Sequence, residues 1–81
     1  MRRLYRIYYN TYIDSVHERV KRELEARYGS KIIDHKSNVN PEFRFIELLL
    51  DKPGFEDEIR DLIKNIAETM YVKVEWIDTT R

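Results

Sequence analysis

Hydrophobic positions along this chain of 81 residues switch between a two-residue period and a three-to-four-residue period, and the switches mark six elements. Arg3 to Tyr9 is dominated by tyrosines and Ile7, which predicts a first strand. Ile13, Val16, Val20, Leu24 and Tyr28 then recur as one stripe of a helix spanning about Tyr12 to Tyr28. Thr11 followed by Asp14 resembles a capping box with aspartate in the usual place of glutamate, and Gly29 is the expected left-handed residue after the last turn. Lys31 to Ser37 carries only Ile32 and Ile33 as apolar residues and reads as a short edge strand. The run Ser37-Asn38-Val39-Asn40-Pro41 predicts a turn into a third strand over Glu42 to Leu50. Asp51-Lys52-Pro53-Gly54 breaks the chain again. Phe55, Ile59, Leu62, Ile63, Ile66 and Met70 form a second helical stripe, with Glu56, Asp57 and Glu58 where a helix start favours negative charge. Finally Val72, Val74 and Trp76 alternate with Tyr71, Lys73 and Glu75, a half-buried last strand over Tyr71 to Ile77.

A small chain in the order β-α-β-β-α-β has essentially one compact solution, an antiparallel sheet with both helices on one face. The expectation is a single α+β domain over residues 1–81 with a ferredoxin-like fold and sheet order 4-1-3-2. Alternation then sorts the first, third and last strands. Tyr5, Ile7 and Tyr9, then Ile46, Leu48 and Leu50, then Val72, Val74 and Trp76 face the helices. The predicted core is Val20, Leu24, Ile46, Leu48, Ile59, Leu62, Ile63, Ile66, Val74 and Trp76. The opposite face receives Tyr8, Phe43 and Phe45 at its centre, with Arg6, Leu4, Leu49, Tyr71 and Lys73 around them and Glu47 among them. So large an aromatic cluster on an otherwise open face marks an interaction surface.

Composition narrows the classes. The chain has no cysteine, which removes disulfides and thiolate chemistry and fits a reducing cytoplasm. Charged residues make up 37%, balanced at fifteen of each sign, against about 25% in an average domain, a thermophile-like surface. Zero net charge argues against a protein whose main work is gripping phosphates, while leaving room for a local basic patch. The basic start (Arg2, Arg3, Arg6) is followed by no apolar segment of the kind a signal peptide needs, and no run approaches the roughly 20 apolar residues of a membrane span.

Candidate chemistry is sparse. The glycines are Gly29 and Gly54, too few for a phosphate-cradling loop, and Ser15, Ser30 and Ser37 sit in no nucleophile motif. Acylphosphatases share the small architecture, but their glycine-rich loop is replaced here by Asn10-Thr11. One metal could touch both Asp14 and His17, although a histidine on the flank of a helix stripe is ordinarily a packed or solvated residue. His35 beside Asp34 reads as a polar edge residue, and the alternating charges of the first helix as a solvated face. No catalytic residue, metal site or cofactor is assigned.

In order and spacing the chain resembles the RNA recognition motif. Ile7-Tyr8-Tyr9-Asn10 is similar to that family's first-strand signature, with Tyr8 at the stacking position. Pro41-Glu42-Phe43-Arg44-Phe45-Ile46-Glu47-Leu48 is similar to its third-strand octapeptide, with Phe43 and Phe45 at the two stacking positions. Leu24-Glu25-Ala26-Arg27-Tyr28-Gly29 followed by Ile32-Ile33 is similar to its first-helix exit. Arg44 stands where the family has a small residue. The resemblance implies base stacking on the aromatic face. Two readings follow. The leading one is a non-enzymatic protein-interaction module in which the face pairs with a second copy as a homodimer, or with another protein. The alternative is a binder of single-stranded RNA.

Overall fold

The computed structural model describes residues 3–35 and 40–78. Within them run β1 (Arg3–Asn10), α1 (Asp14–Tyr28), β2 (Ile32–His35), β3 (Phe43–Leu48), α2 (Glu56–Ala67) and β4 (Val72–Asp78). The sheet order is β2-β3-β1-β4, with every neighbouring pair antiparallel. This is the ferredoxin-like α+β arrangement that the element order predicts, with β1 and β3 as the central pair. No helix among the described residues is long and apolar enough to cross a membrane.

The helices pack on each other and on one face of the sheet, α1 against β2 and α2 against β4. Between these layers Tyr5, Ile7, Tyr9, Ile46 and Leu48 of the central strands meet Val20, Leu24, Ile59 and Ile63 of the helices, all fully buried, with Val74 and Leu50 at the margin. Complete burial of one such aliphatic side chain stabilises the fold by about 1.5–3 kcal/mol. Leu62, Ile66 and Trp76, expected in the core, are only partly buried against it. The two inward tyrosines of β1 occupy the volume at the centre instead.

The start of α1 and the end of α2 depart from the sequence reading. Thr11 does not cap α1 through a capping box: its Oγ1 accepts from the Ile13 N–H at 3.2 Å, and the helix begins at Asp14. Tyr12 and Ile13 therefore lie outside the helix stripe and are exposed. At the other end Gly29 (φ 61°) closes α1, its N–H donating to the Glu25 carbonyl at 2.8 Å. In α2 the left-handed closing residue is Glu68 (φ 51°), so the helix stops three residues before Met70, which is 89% exposed rather than part of the stripe. Of the predicted second strand and turn, Lys36, Ser37, Asn38 and Val39 lie outside the described residues, as does Arg2.

Polar ties fix the layers. The Tyr5 hydroxyl donates to the Lys52 carbonyl and accepts from the Phe55 N–H at 3.1 Å, which pins the β3–α2 connection under the sheet. Glu58 of α2 accepts from Arg27 at 3.0 Å and from the Tyr28 hydroxyl at 2.8 Å, clasping the two helices.

Candidate functional site

Strand register builds the open face row by row. Tyr8 lies opposite Phe45 on one side and Lys73 on the other, and Phe45 lies opposite His35. The adjacent row holds Ile33, Glu47, Arg6 and Glu75. Asn10 faces Phe43 at one end, and Leu4 faces Ile77 at the other. Each of these residues is on this face because its neighbours along the strand point to the helices.

The aromatic row is a single stack. The Tyr8 and Phe45 rings are 4.7 Å apart with planes 6° from parallel, and His35 and Phe45 are 4.6 Å apart at 18°. These separations match the roughly 4.8 Å spacing of neighbouring strands, so the rings stand on edge across the sheet like adjacent plates. Phe45 has both faces covered, one by His35 from β2 and one by Tyr8 from β1. Phe43 meets Tyr8 at 6.0 Å and 40° and extends the cluster toward Asn10. Stacked pairs of this kind add about 0.5–1.5 kcal/mol each beyond the area they bury.

The charged row is internally balanced. Glu47 is 5% exposed and is held by His35 Nε2 at 2.8 Å and by Arg6 Nε at 3.5 Å. Lys73 meets Glu75 at 3.0 Å, two residues along the same strand. The hydrogen bond that Lys73 donates to Glu75, and the charge of that carboxylate, hold the Lys73 ammonium above the ordinary lysine value. Each cation of the face thus has a carboxylate beside it.

Of the residues expected on the face, the structure brings Tyr8, Phe43, Phe45, Arg6 and Lys73 together. Leu49 and Tyr71 have the right alternation but sit at opposite ends of the sheet, beyond the last residue of β3 and before the first of β4. Leu4, expected at the rim, lies on this face by register but is 1% exposed, covered there and outside the buried cluster between sheet and helices. His35 and Ile33 extend the face onto β2, and His35, read from sequence as a polar edge residue, completes the stack. The missing signal was β2 register: two isoleucines in a short strand do not say which residue meets Phe45.

No protein-family model, curated protein or solved structure matches this chain. Its own geometry carries the functional reading.

A second polar centre lies on the helix side. The Tyr9 hydroxyl is hydrogen-bonded to Nδ1 of His17, and His17 Nε2 bonds Asp34 Oδ2 at 2.9 Å. Lys21 Nζ reaches the same Asp34 oxygen at 3.1 Å and Glu18 at 2.9 Å. Burial pushes the Tyr9 hydroxyl well above the ordinary phenol range, so it keeps its proton. The His17 ring is thus held through both of its nitrogens, one by Tyr9 and one by Asp34. Burial alone would raise the Asp34 carboxyl, but the bonds from His17 and Lys21 outweigh it and hold the group below its ordinary value. This relay ties β1, α1 and β2 together. His17 and Asp14 are not joined: Asp14 accepts from Arg44 Nη2 at 2.8 Å, while Arg44 Nε donates to the Thr11 carbonyl at 3.0 Å. Arg44 thus fastens β3 to the start of α1 on the helix side of the sheet. Among the described residues no group of three His, Cys, Asp or Glu side chains is arranged to hold a metal.

Proposed function

We propose that this chain is a non-enzymatic protein-interaction module that self-associates through the open face of its sheet. The observation that carries the reading is the continuous His35–Phe45–Tyr8 stack, in which both faces of the central ring are covered by the chain's own residues. A base needs a free ring face to stack on. Upright rings instead offer edges and a ridge, which suit edge-to-face packing against another apolar surface. The charge pattern favours the same reading. Arg6 and Lys73 each have a carboxylate neighbour, so the face gathers little net positive charge for a phosphate backbone. A two-fold contact requires one self-complementary patch, and a face of balanced charge around an apolar ridge meets that condition.

The test is the double substitution Phe43→Ala with Phe45→Ala, which leaves the inward Ile46 and Leu48 in place. Mass is followed by light scattering over a range of concentrations, with and without a mixed single-stranded RNA pool. Self-association through the face predicts a wild-type species heavier than the monomer and a variant of lower mass at the same concentration. A wild-type monomer that shifts on RNA addition, with the variant losing about 1–3 kcal/mol of affinity per stacked base, would replace this reading with nucleic-acid binding.

A further inference from the structure

The backbone hydrogen-bond phase of the sheet can be read from one bond. The Thr11 N–H donates to the Glu42 carbonyl at 2.8 Å, and these two residues continue the β1–β3 register. Odd-numbered residues of β1 therefore bond to β3 and even-numbered ones to β4. The bond from the Leu49 N–H to the Lys31 carbonyl, at 2.9 Å, gives β3 the matching phase. Since Tyr8, Arg6 and Leu4 pair with Lys73, Glu75 and Ile77, those three residues of β4 bond inward. The N–H and C=O groups of Val72, Val74 and Trp76 point away from β1.

The two outer strands differ as edges. β2 is four residues long, and the Lys21–Asp34 and His17–Asp34 bonds tie it to α1. β4 is seven residues long and stands last in the sheet. A long edge strand is a template for another strand unless something guards it, most often charge of one sign. Here the charges are arranged differently: Lys73 and Glu75 flank Val74 symmetrically on the open face.

We infer that β4 pairs antiparallel with β4 of a second copy about a two-fold axis at Val74, joining two sheets into one of eight strands. In that register Val74 lies opposite the second copy's Val74, and Val72 opposite its Trp76, so every outward backbone group named above finds a partner. Lys73 lies opposite the second copy's Glu75, and Glu75 opposite its Lys73. Tyr71, 45% exposed in the single chain, comes to lie opposite Ile77 of the second copy. Sliding the axis by one residue puts Glu75 against Glu75 or Lys73 against Lys73, and like charges directly opposed are unfavourable. Sliding it by two sets Lys73 against Tyr71 or Glu75 against Ile77 and leaves no lysine–glutamate pair across the axis. The charge pattern thus selects the occupant, which is the same strand, and its register.

The inference shares with the proposed function only the identity of the partner, and it supplies what the open face by itself is short of. Four strands about 4.8 Å apart and roughly six residues long offer a flat footprint on the order of 400 Å², against about 800 Å² per partner in a standard stable interface. An eight-stranded sheet presents twice that face.

The experiment uses Lys73→Glu and Glu75→Lys, made separately in the full chain, with circular dichroism confirming the fold and light scattering giving the mass. Each single change places like charges opposite one another at two positions across the two-fold and weakens self-association by about tenfold or more. Mixing the two variants in equal amounts restores association, because each acidic pair then faces a basic pair. The mixture separates this effect from the intrachain Lys73–Glu75 bond, which neither variant regains. Wild-type mass in both single variants, failure of the mixture to recover, or a wild type that stays monomeric at all concentrations would overturn the inference. Phe43→Ala with Phe45→Ala leaves β4 unaltered, so recovery in the mixture together with an inert face variant would support the edge and remove the face.

Discussion

Tyr5, Tyr8 and Tyr9 lie in one strand and serve two surfaces in opposite ways. On the helix side, Tyr5 and Tyr9 are fully buried, and each uses its hydroxyl: Tyr5 bridges Lys52 and Phe55, while Tyr9 meets His17. On the open side, Tyr8 is held through its ring, stacked on Phe45. A closed face excludes water, so a phenol there is tolerated when its hydroxyl finds a partner. An open face keeps the hydroxyl wet and takes its order from ring contact. The closed face therefore specifies the fold, and the open one is organised without being sealed.

Breaking the closed face gives the largest effect. Leu24→Ala, a fully buried truncation between helix and sheet, is expected to lower unfolding free energy by about 2–5 kcal/mol in urea titrations. The loss should be the same at any protein concentration.

The sharpest form of the comparison removes one oxygen atom from each side. Tyr9→Phe leaves Nδ1 of buried His17 without its hydrogen-bond partner and should lower stability by about 1–3 kcal/mol. Phe45→Leu keeps an apolar side chain but ends the stack, with an expected loss of about 0.5–1.5 kcal/mol in dilute solution and a further loss that grows with protein concentration if the face self-associates. Tyr8→Phe keeps the ring and should change stability by less than about 0.5 kcal/mol. Equal effects of Tyr8→Phe and Tyr9→Phe would erase the distinction between the faces.

The relay adds a pH signature. Asp34 is held below its ordinary value of 3.8, so the folded state binds its proton less readily than the unfolded chain. Its stabilisation is fully present above the unfolded value and is lost as pH falls through the lower, folded one. Urea midpoints measured from pH 6 downward should fall more steeply for the wild type than for Asp34→Asn, where no such carboxylate remains to titrate. A parallel decline in the two proteins would place the acid sensitivity elsewhere.

Element order and sheet topology were legible because period and punctuation are local properties. Gly29 closed its helix where expected, and Val72, Val74 and Trp76 kept their alternation. What misled were residues whose fate depended on where a helix ended. Ile13 and Met70 fit the stripes by spacing, yet α1 starts after the first and α2 stops before the second, so both are exposed. Leu4 shares the alternation of Tyr8 yet is buried. The functional face was half legible: Tyr8, Phe43 and Phe45 could be placed on it by alternation, but His35 could not, since its position depends on β2 register. Arg44 read as a departure from a nucleic-acid motif, and the structure ties it instead to Asp14 and Thr11.

The sequence by itself determined six elements, their order, the inward and outward sets of β1, β3 and β4 and the balance of charge, because these follow from periodicity and from backbone preferences a few residues long. The tertiary structure decided which outward residues meet. The stacking of Phe45 between His35 and Tyr8, the grip of His17 on Asp34 and the outward phase of the β4 backbone all depend on register between strands distant in sequence. Hydrogen bonding sets that register in one-residue steps, and each step changes every cross-strand neighbour at once.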